Sequence, residues 1–246
     1  MSSSGLLRAA AWVCLGGLLA AGCRGGADDP VAGLVASIQD ACLEQDAGLV
    51  LALADREYAD ELGGVGRLGD DLRHLFAVYG ALRLEILALA PVEDGWLRGR
   101  ARVEGKALRY EGPLAWRLRP GAVGTLVSSG LLSELRGVLY ALRLRRQALE
   151  SGDVERLGEV VSMEYRGPGG DRRALLERSR AEFGGRQGLA WIARGVGIVV
   201  DQDEARVEAE FLAVERVEGQ SVERTDRERL VLRREGSRWR IVDGLG

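Results

Sequence analysis

The stretch Ala205-Arg206-Val207-Glu208-Ala209-Glu210-Phe211 decides the fold, because it reads as a strand almost letter by letter. Its apolar residues alternate with charged ones, which is the period-two pattern of a strand with one buried face. The polar run Asp201 to Glu204 predicts a turn before it, and the strand pattern returns in Leu230 to Leu232 and in Arg238 to Asp243. From Leu189 to Gly244 the sequence therefore predicts a meander of antiparallel strands.

Helical patterns precede a similar group of strands earlier in the chain. Apolar spacing predicts a first helix over Val31 to Gln45, Asp46 caps a second helix, and Asp70 or Asp71 caps a third that Gly80 ends. Strand patterns follow in Leu82 to Ala90, Trp96 to Val103, Leu108 to Arg119 and Thr125 to Gly130. Gly112-Pro113 interrupts the third of these strands, which predicts a bulge or an edge at that point.

The same order of elements recurs in the second part of the chain. A long amphipathic helix is followed by a short helix that Asp153 caps. Tyr58 and Tyr165 each follow the capping aspartate of the second helix of their part by 12 positions. We therefore predict two tandem α+β units, residues 31–130 and 131–246, each with three helices packed on a curled antiparallel sheet.

The N-terminus has the pattern of a secretory signal. Arg8 precedes an apolar run that is too short to span a bilayer and that ends in Leu19-Ala20-Ala21-Gly22-Cys23. This ending resembles the lipobox of bacterial lipoproteins, which implies removal of residues 1–22 and acylation of Cys23. The alternative is ordinary signal cleavage near Ala21-Gly22, which would leave Cys23 as a free thiol.

Acylation of Cys23 implies a protein that is held in the bacterial cell envelope through its lipid anchor. The Gly- and Asp-rich residues 23–30 would serve as a tether between the membrane and the fold. In bacterial lipoproteins an Asp after the acylated cysteine often signals retention in the inner membrane. Arg24 stands there instead, which favours the periplasmic face of the outer membrane.

Composition argues against several classes of function. The net charge of -3 and the interspersed acidic and basic residues argue against nucleic acid as a partner. Cys42 is the one cysteine expected to stay unmodified in the mature chain, and its helical spacing places it on an apolar face as a buried structural thiol. We therefore predict no metal site, no disulfide framework and no cofactor.

Three helices followed by a strand meander that ends in Arg238-Trp239-Arg240-Ile241-Val242-Asp243-Gly244 resemble the nuclear-transport-factor-2-like superfamily. The resemblance is to its SnoaL-like and DUF4440-type bacterial members, and the segment Arg145 to Asp153, followed by Leu157, Met163 and Tyr165, is also typical of them. It implies a cone-shaped, cystatin-like roll with a pocket at its wide end. That scaffold hosts isomerases, cyclases, dehydratases and noncatalytic modules alike.

Candidate residues for acid–base chemistry in such a cone are few. Asp226 shares strand parity with Leu230, so it could point into the second cone beside Tyr165, or it could be a solvated strand end among arginines. The single histidine, His74, is expected at the surface or the boundary of the core. Aromatic residues expected to line or floor a cavity, or to fill the core, include Tyr58, Trp96, Trp116, Tyr165 and Trp191.

Two functions follow as hypotheses, and a purely structural spacer with two solidly packed cones and no cavity is a third possibility. The favoured one is a noncatalytic envelope lipoprotein that binds a small apolar ligand or the surface of a partner protein. The alternative is a lipid-anchored SnoaL-like isomerase or cyclase that uses Asp226 and Tyr165 in the second unit. Arg143, Arg145 and Arg146 are expected to form the solvated face of a helix, with a basic patch near anionic lipid as the alternative.

Overall fold

The computed structural model describes residues 29–122, 124–183, 187–217 and 220–245. The predicted signal peptide, Cys23 and most of the predicted tether lie outside the described residues. None of the described helices is long and apolar enough to cross a membrane. We call residues 29–130 the first half and residues 131–245 the second half.

Each half contains three α-helices, a ladder of two very short strands, and four longer strands, and the first half also has a single 3-10 turn at Glu93–Gly95. In the first half these are α1 (Pro30–Leu43), α2 (Ala47–Ala52), β1 (Ala59–Asp60), β2 (Gly63–Gly64), α3 (Val65–Tyr79), β3 (Arg83–Pro91), β4 (Trp96–Gly105), β5 (Leu108–Gly121) and β6 (Gly124–Ser129). In the second half they are α4 (Ser133–Ser151), α5 (Val154–Val160), β7 (Arg166–Gly167), β8 (Gly170–Asp171), α6 (Arg172–Phe183), β9 (Gln187–Asp201), β10 (Glu204–Val217), β11 (Gln220–Glu235) and β12 (Arg238–Asp243).

The capping aspartates of the short helices are confirmed. Asp46 accepts hydrogen bonds from the amides of Gly48 and Leu49 at 2.8 and 3.0 Å, and Asp153 accepts one from the amide of Arg156 at 2.9 Å. The predicted start of the third helix is wrong. Because the β1–β2 ladder leads directly into α3, that helix begins at Val65, and Asp70 and Asp71 lie inside it.

The eight longer strands form one sheet with the path β12-β11-β10-β9-β5-β4-β3, and β6 also pairs with β5. The two halves meet where Leu108–Glu111 of β5 pair in parallel with Val196–Val199 of β9. Strand β6 pairs with Arg117 to Gly121 along the same edge of β5 that β9 occupies further back in the strand. Gly112-Pro113 therefore lies in the unpaired gap between β9 and β6 on that edge. Pairing of β5 with β4 continues through Gly112-Pro113 without a register shift, so of the two predicted alternatives the bulge is absent and the unpaired edge is found.

The α+β class and the strand meander are confirmed. The meander from Leu189 onward forms β9 to β12, and a register shift between Glu210 and Phe211 of β10 marks a bulge in β9 at Arg194. Helices cover one face of the curled sheet, and most buried apolar residues from Leu34 to Leu245 belong to one cluster that includes both halves. Both halves therefore contribute to a continuous core.

Each half ends in a Gly-Leu pair that we call a closing turn: Gly130-Leu131, which lies across the boundary between the halves, and Gly244-Leu245, at the end of the second half. Gly130 and Gly244 have φ values of 86° and 98°, a region that favours glycine. A Cβ atom would lie 1.8 Å from the carbonyl oxygen of Ala115 at Gly130 and 1.9 Å from that of Arg229 at Gly244. Only glycine fits this close approach of two backbone segments.

A buried tyrosine holds each closing turn. The hydroxyl of Tyr58 accepts a hydrogen bond from the amide of Leu131 at 3.0 Å, and that of Tyr165 accepts one from the amide of Leu245 at 3.2 Å. The last strands are also bridged in parallel to the segments after α2 and α5, Val127 to Ala54 and Ile241 to Val161. The two halves thus end in the same arrangement of contacts.

Candidate functional site: a cavity at the junction of the halves

A cavity of about 320 Å³ lies between α3 of the first half and α4 with strands β9, β10 and β11 of the second half. We call it the junction cavity. Its volume is at the lower end of the range for small-molecule sites. Because α3 is the wall from the first half, the cavity exists only where the two halves meet.

One wall of the junction cavity is apolar. The ring of Trp191 stacks on Phe211 with 3.8 Å between centroids and an interplanar angle of 28°. Val196 on β9 and Ala209 on β10 pair with each other and also line the cavity. A stacked aromatic pair with aliphatic neighbours gives a surface on which an apolar molecule can shed water.

The floor of the cavity contains a bidentate ion pair. Arg145 donates to both carboxylate oxygens of Glu228 at 2.5 and 2.6 Å, and its guanidinium lies 5.2 Å from the ring centroid of Trp191. The side chain of Arg145 is 10% exposed, so the prediction that it is part of a solvated helix face is wrong. The reason is its buried carboxylate partner, which neutralises the charge.

A second buried arginine, Arg136, also lines the cavity and joins the two halves. Its guanidinium donates to Asp60 at 2.6 Å, to Asp71 at 3.0 Å and to the hydroxyl of Tyr58 at 3.3 Å. Burial alone would lower the pKa of Arg136, but the charges of Asp60 and Asp71, together with the hydrogen bond to Asp71, raise it overall. Burial, and then the charge of Asp60, raise the pKa of Tyr58, so its hydroxyl stays a donor, and it donates to Asp60 at 2.5 Å.

His74 stands on the α3 wall of the cavity and is half-buried. Burial, and then the positive charges of Arg143 and Arg146, lower its pKa below the usual 6.5, and the charge of Asp71 opposes them. The imidazole is therefore neutral near pH 7. The sequence predicts His74 at the surface or at the boundary of the core, and the structure places it at the boundary, on the cavity wall.

One of the five predicted aromatic residues, Trp191, lines the junction cavity. Tyr58, Trp116 and Tyr165 are fully buried core residues, and Trp96 is half-buried and lies away from the cavity. The two tyrosines hold the closing turns instead of facing a ligand. Large aromatics fill the space between helices and sheet, and the sequence pattern does not distinguish that role from a place in a cavity wall.

Asp226 does not face an enclosed cavity. It pairs across the sheet with the inward-facing Phe211, so the predicted parity is right, but residues 221–227 of β11 are exposed and the side chain of Asp226 is 50% exposed beside Arg224. The hydroxyl of Tyr165 is buried and donates to the carbonyl of Leu245 at 2.7 Å. The structure therefore does not bring Asp226 and Tyr165 together as an acid–base pair.

Sequence reasoning missed Glu228, Asp71 and Arg136 as cavity residues. Glu228 has the strand parity of Asp226 and follows it by two residues, so parity alone could have found it. Asp71 was interpreted as a helix cap, and no local signal shows that Arg136 would meet acids so far away in the sequence. Their pairing depends on how α3 packs beside α4.

Metal and thiol chemistry have no visible basis in the described residues. No group of three or more potential metal ligands occurs within them. Cys42 is buried, as predicted, and burial raises the pKa of its thiol to about 12. A thiol with that pKa stays protonated near neutral pH and is a poor nucleophile.

Comparison with known proteins gives structural likenesses only. No protein-family model matches the chain, and no curated protein matches it. A candidate dehydratase of the nuclear-transport-factor-2-like family from Streptomyces avermitilis covers 46% of this chain and 93% of its own at 17% identity and a TM-score of 0.43. A cystatin-like, nuclear-transport-factor-2-like protein from Novosphingobium aromaticivorans covers 46% and 80% at 22% identity and a TM-score of 0.39. A candidate ketosteroid isomerase from Shewanella frigidimarina covers 43% and 90% at 17% identity and a TM-score of 0.37.

Proposed function

We propose that this protein is a noncatalytic, lipid-anchored protein of the bacterial envelope that holds a small apolar ligand in the junction cavity. The observation that carries the proposal is the cavity itself. It has the size of a small-molecule site and an apolar wall built on the stacked Trp191 and Phe211.

The proposal treats the chain as two nuclear-transport-factor-2-like units in tandem. Support comes from the repeated order of helices and strands and from the matching closing turns, each with a glycine at positive φ and a buried tyrosine. The units are joined edge to edge through β5 and β9 in one sheet. The junction cavity is then a product of the pairing, since each unit supplies one of its walls.

A noncatalytic role is supported by the state of the carboxylates that line the cavity. Glu228 is engaged by Arg145, and Asp71 is engaged by Arg136 and by Arg67 at 3.2 Å. Both carboxylates are therefore occupied by hydrogen bonds from guanidinium groups, which leaves neither of them placed to take a proton from a ligand. The isomerase alternative has no such support, because the side chain of Asp226 is half-exposed beside Arg224 and the hydroxyl of Tyr165 is buried in a closing turn.

A neutral fluorescent probe tests ligand binding. N-phenyl-1-naphthylamine is expected to bind the wild-type protein with an increase in fluorescence. Ala209, on the cavity floor between the buried Val207 and Phe211, is the position to block, and Ala209→Phe should weaken binding about tenfold or more, or about 1.4 kcal/mol.

Ala190→Phe is the matched control for the blocking variant, because Ala190 is exposed on β9 and does not line the cavity. It should leave the affinity unchanged, and circular dichroism should show both variants folded. Equal binding by the wild-type protein and Ala209→Phe would mean that the probe binds elsewhere, and the cavity would lose its assigned role.

The lipid anchor needs a separate test, since Cys23 lies outside the described residues. Intact mass spectrometry of the protein extracted from its own membrane should give residues 23–246 plus the mass of attached acyl chains. Cys23→Ser should appear in the soluble fraction without that added mass, because the acyl chains supply about 0.8 kcal/mol of membrane affinity per methylene. An unmodified Cys23 in the wild-type protein would remove the anchor from the proposal.

A further inference from the structure

Two arginines of the junction cavity lack a close acidic partner. A terminal nitrogen of Arg143 lies 3.9 Å from Asp71, and Nε of Arg146 lies 3.9 Å from Glu150. Both distances exceed hydrogen-bonding range, and within the described residues neither guanidinium donates a hydrogen bond. By contrast, Arg136 and Arg145 each contact a carboxylate oxygen at 2.6 Å or less.

The positive charge is in excess on this side of the cavity. Four arginines and two carboxylates line it, and the carboxylates, Asp71 and Glu228, are bound by Arg136 and Arg145. The side chains of Arg143 and Arg146 are 22% and 39% exposed, so both can be reached by a solute while part of their surface is shielded from water. Partial burial strengthens the field that an entering anion would meet.

The part of the cavity formed by β9 and β10 is apolar, because it carries the Trp191–Phe211 stack with Val196 and Ala209. A ligand that matches both walls needs an apolar body and an acidic group at one end. The cavity of about 320 Å³ is of the right size for one small organic acid and too small for a two-chain phospholipid.

We propose that the ligand of the junction cavity is an amphipathic organic anion, with its apolar body against Trp191 and Phe211 and its carboxylate or sulfonate against Arg143 and Arg146. This inference rests on the proposed function and gives that ligand its chemical class. Guanidinium groups suit the task, because their planar donors match the oxygens of a carboxylate or a similar oxyanion.

Two probes with the same ring system separate the contribution of charge to the binding affinity from that of apolar contact. 8-Anilinonaphthalene-1-sulfonate carries a sulfonate, and N-phenyl-1-naphthylamine is the same molecule without it. In the double variant Arg143→Gln/Arg146→Gln, affinity for the sulfonate probe should fall about tenfold or more, the effect of losing a hydrogen bond to a charged group. Affinity for the neutral probe should change less than about twofold, which also shows that the variant is folded.

The control is Arg173→Gln/Arg229→Gln, which removes the same charge from largely exposed side chains outside the cavity. It should leave both affinities unchanged. If the sulfonate probe binds the cavity variant as tightly as the wild type, the anionic ligand is wrong while the proposed apolar site stands. If neither probe binds the wild type, both proposals fail.

His74 supplies a second readout, because it is the single histidine of the chain and gives one imidazole signal in a nuclear magnetic resonance titration. The groups that act on its charge are Arg143 and Arg146 on α4 and Asp71 on α3. Saturation with the sulfonate probe should raise the pKa of His74, because the bound negative charge offsets the two arginines. The neutral probe should not raise it, and an equal effect of both probes would contradict the placement of the anion.

Discussion

Arg136→Met is expected to lower the free energy of unfolding by about 3–5 kcal/mol, since it removes the cation from a buried cluster and leaves the carboxylates behind. Arg136 has no exposed side-chain surface, and Asp60 and Asp71 on the first half are nearly buried as well. Methionine has a similar length and packs well, so the expected loss is one of charge compensation. Urea denaturation followed by circular dichroism measures it.

Arg143→Met is the matched control on the same helix. Arg143 lies two turns further along α4, is partly exposed, and has its nearest carboxylate oxygen at 3.9 Å, so its loss should cost less than about 1 kcal/mol. Adding Asp60→Asn to Arg136→Met should recover part of the stability, because one uncompensated charge is removed. A loss below about 1 kcal/mol for Arg136→Met would show that the cluster does not hold the halves together.

The parts of this fold that the sequence predicts are those set by local interactions. The period-two pattern of Ala205 to Phe211 gives β10, and the helix caps at Asp46 and Asp153 form with amides two or three residues away. Gly80 ends α3 at a φ of 70°, which its sequence position also predicts. Each of these features depends on residues within about one turn or one strand, so a single sequence contains the necessary information.

The site depends on packing between distant segments, and there the sequence is less informative. Arg136 reaches Asp71 and Asp60 across 65 and 76 residues, and nothing in its own helix shows that these acids lie beside it. Asp226 and Glu228 share one face of β11, yet only Glu228 lies where α4 covers the sheet. Parity gives the face of a strand, but the extent of the helix cover decides which residue is buried.

Alanine at the glycine of a closing turn should be strongly destabilising. Gly130→Ala would place a Cβ 1.8 Å from the carbonyl oxygen of Ala115, at a φ of 86° that alanine avoids, and the expected cost is about 3–5 kcal/mol. Gly244→Ala meets the carbonyl of Arg229 at 1.9 Å and should cost at least about 2 kcal/mol. Urea denaturation of both variants gives the two values.

Gly236→Ala separates the steric clash from backbone strain. Gly236 also has a positive φ, 62°, but no atom lies within 4 Å of an added Cβ, so alanine should cost only about 1 kcal/mol there. If the two closing turns are equivalent parts of a repeated unit, Gly130→Ala and Gly244→Ala must each lower the free energy of unfolding by more than Gly236→Ala does. A large cost at one glycine with a control-sized cost at the other would remove the main structural support for the tandem arrangement, and with it the reason to expect a ligand site where two units meet.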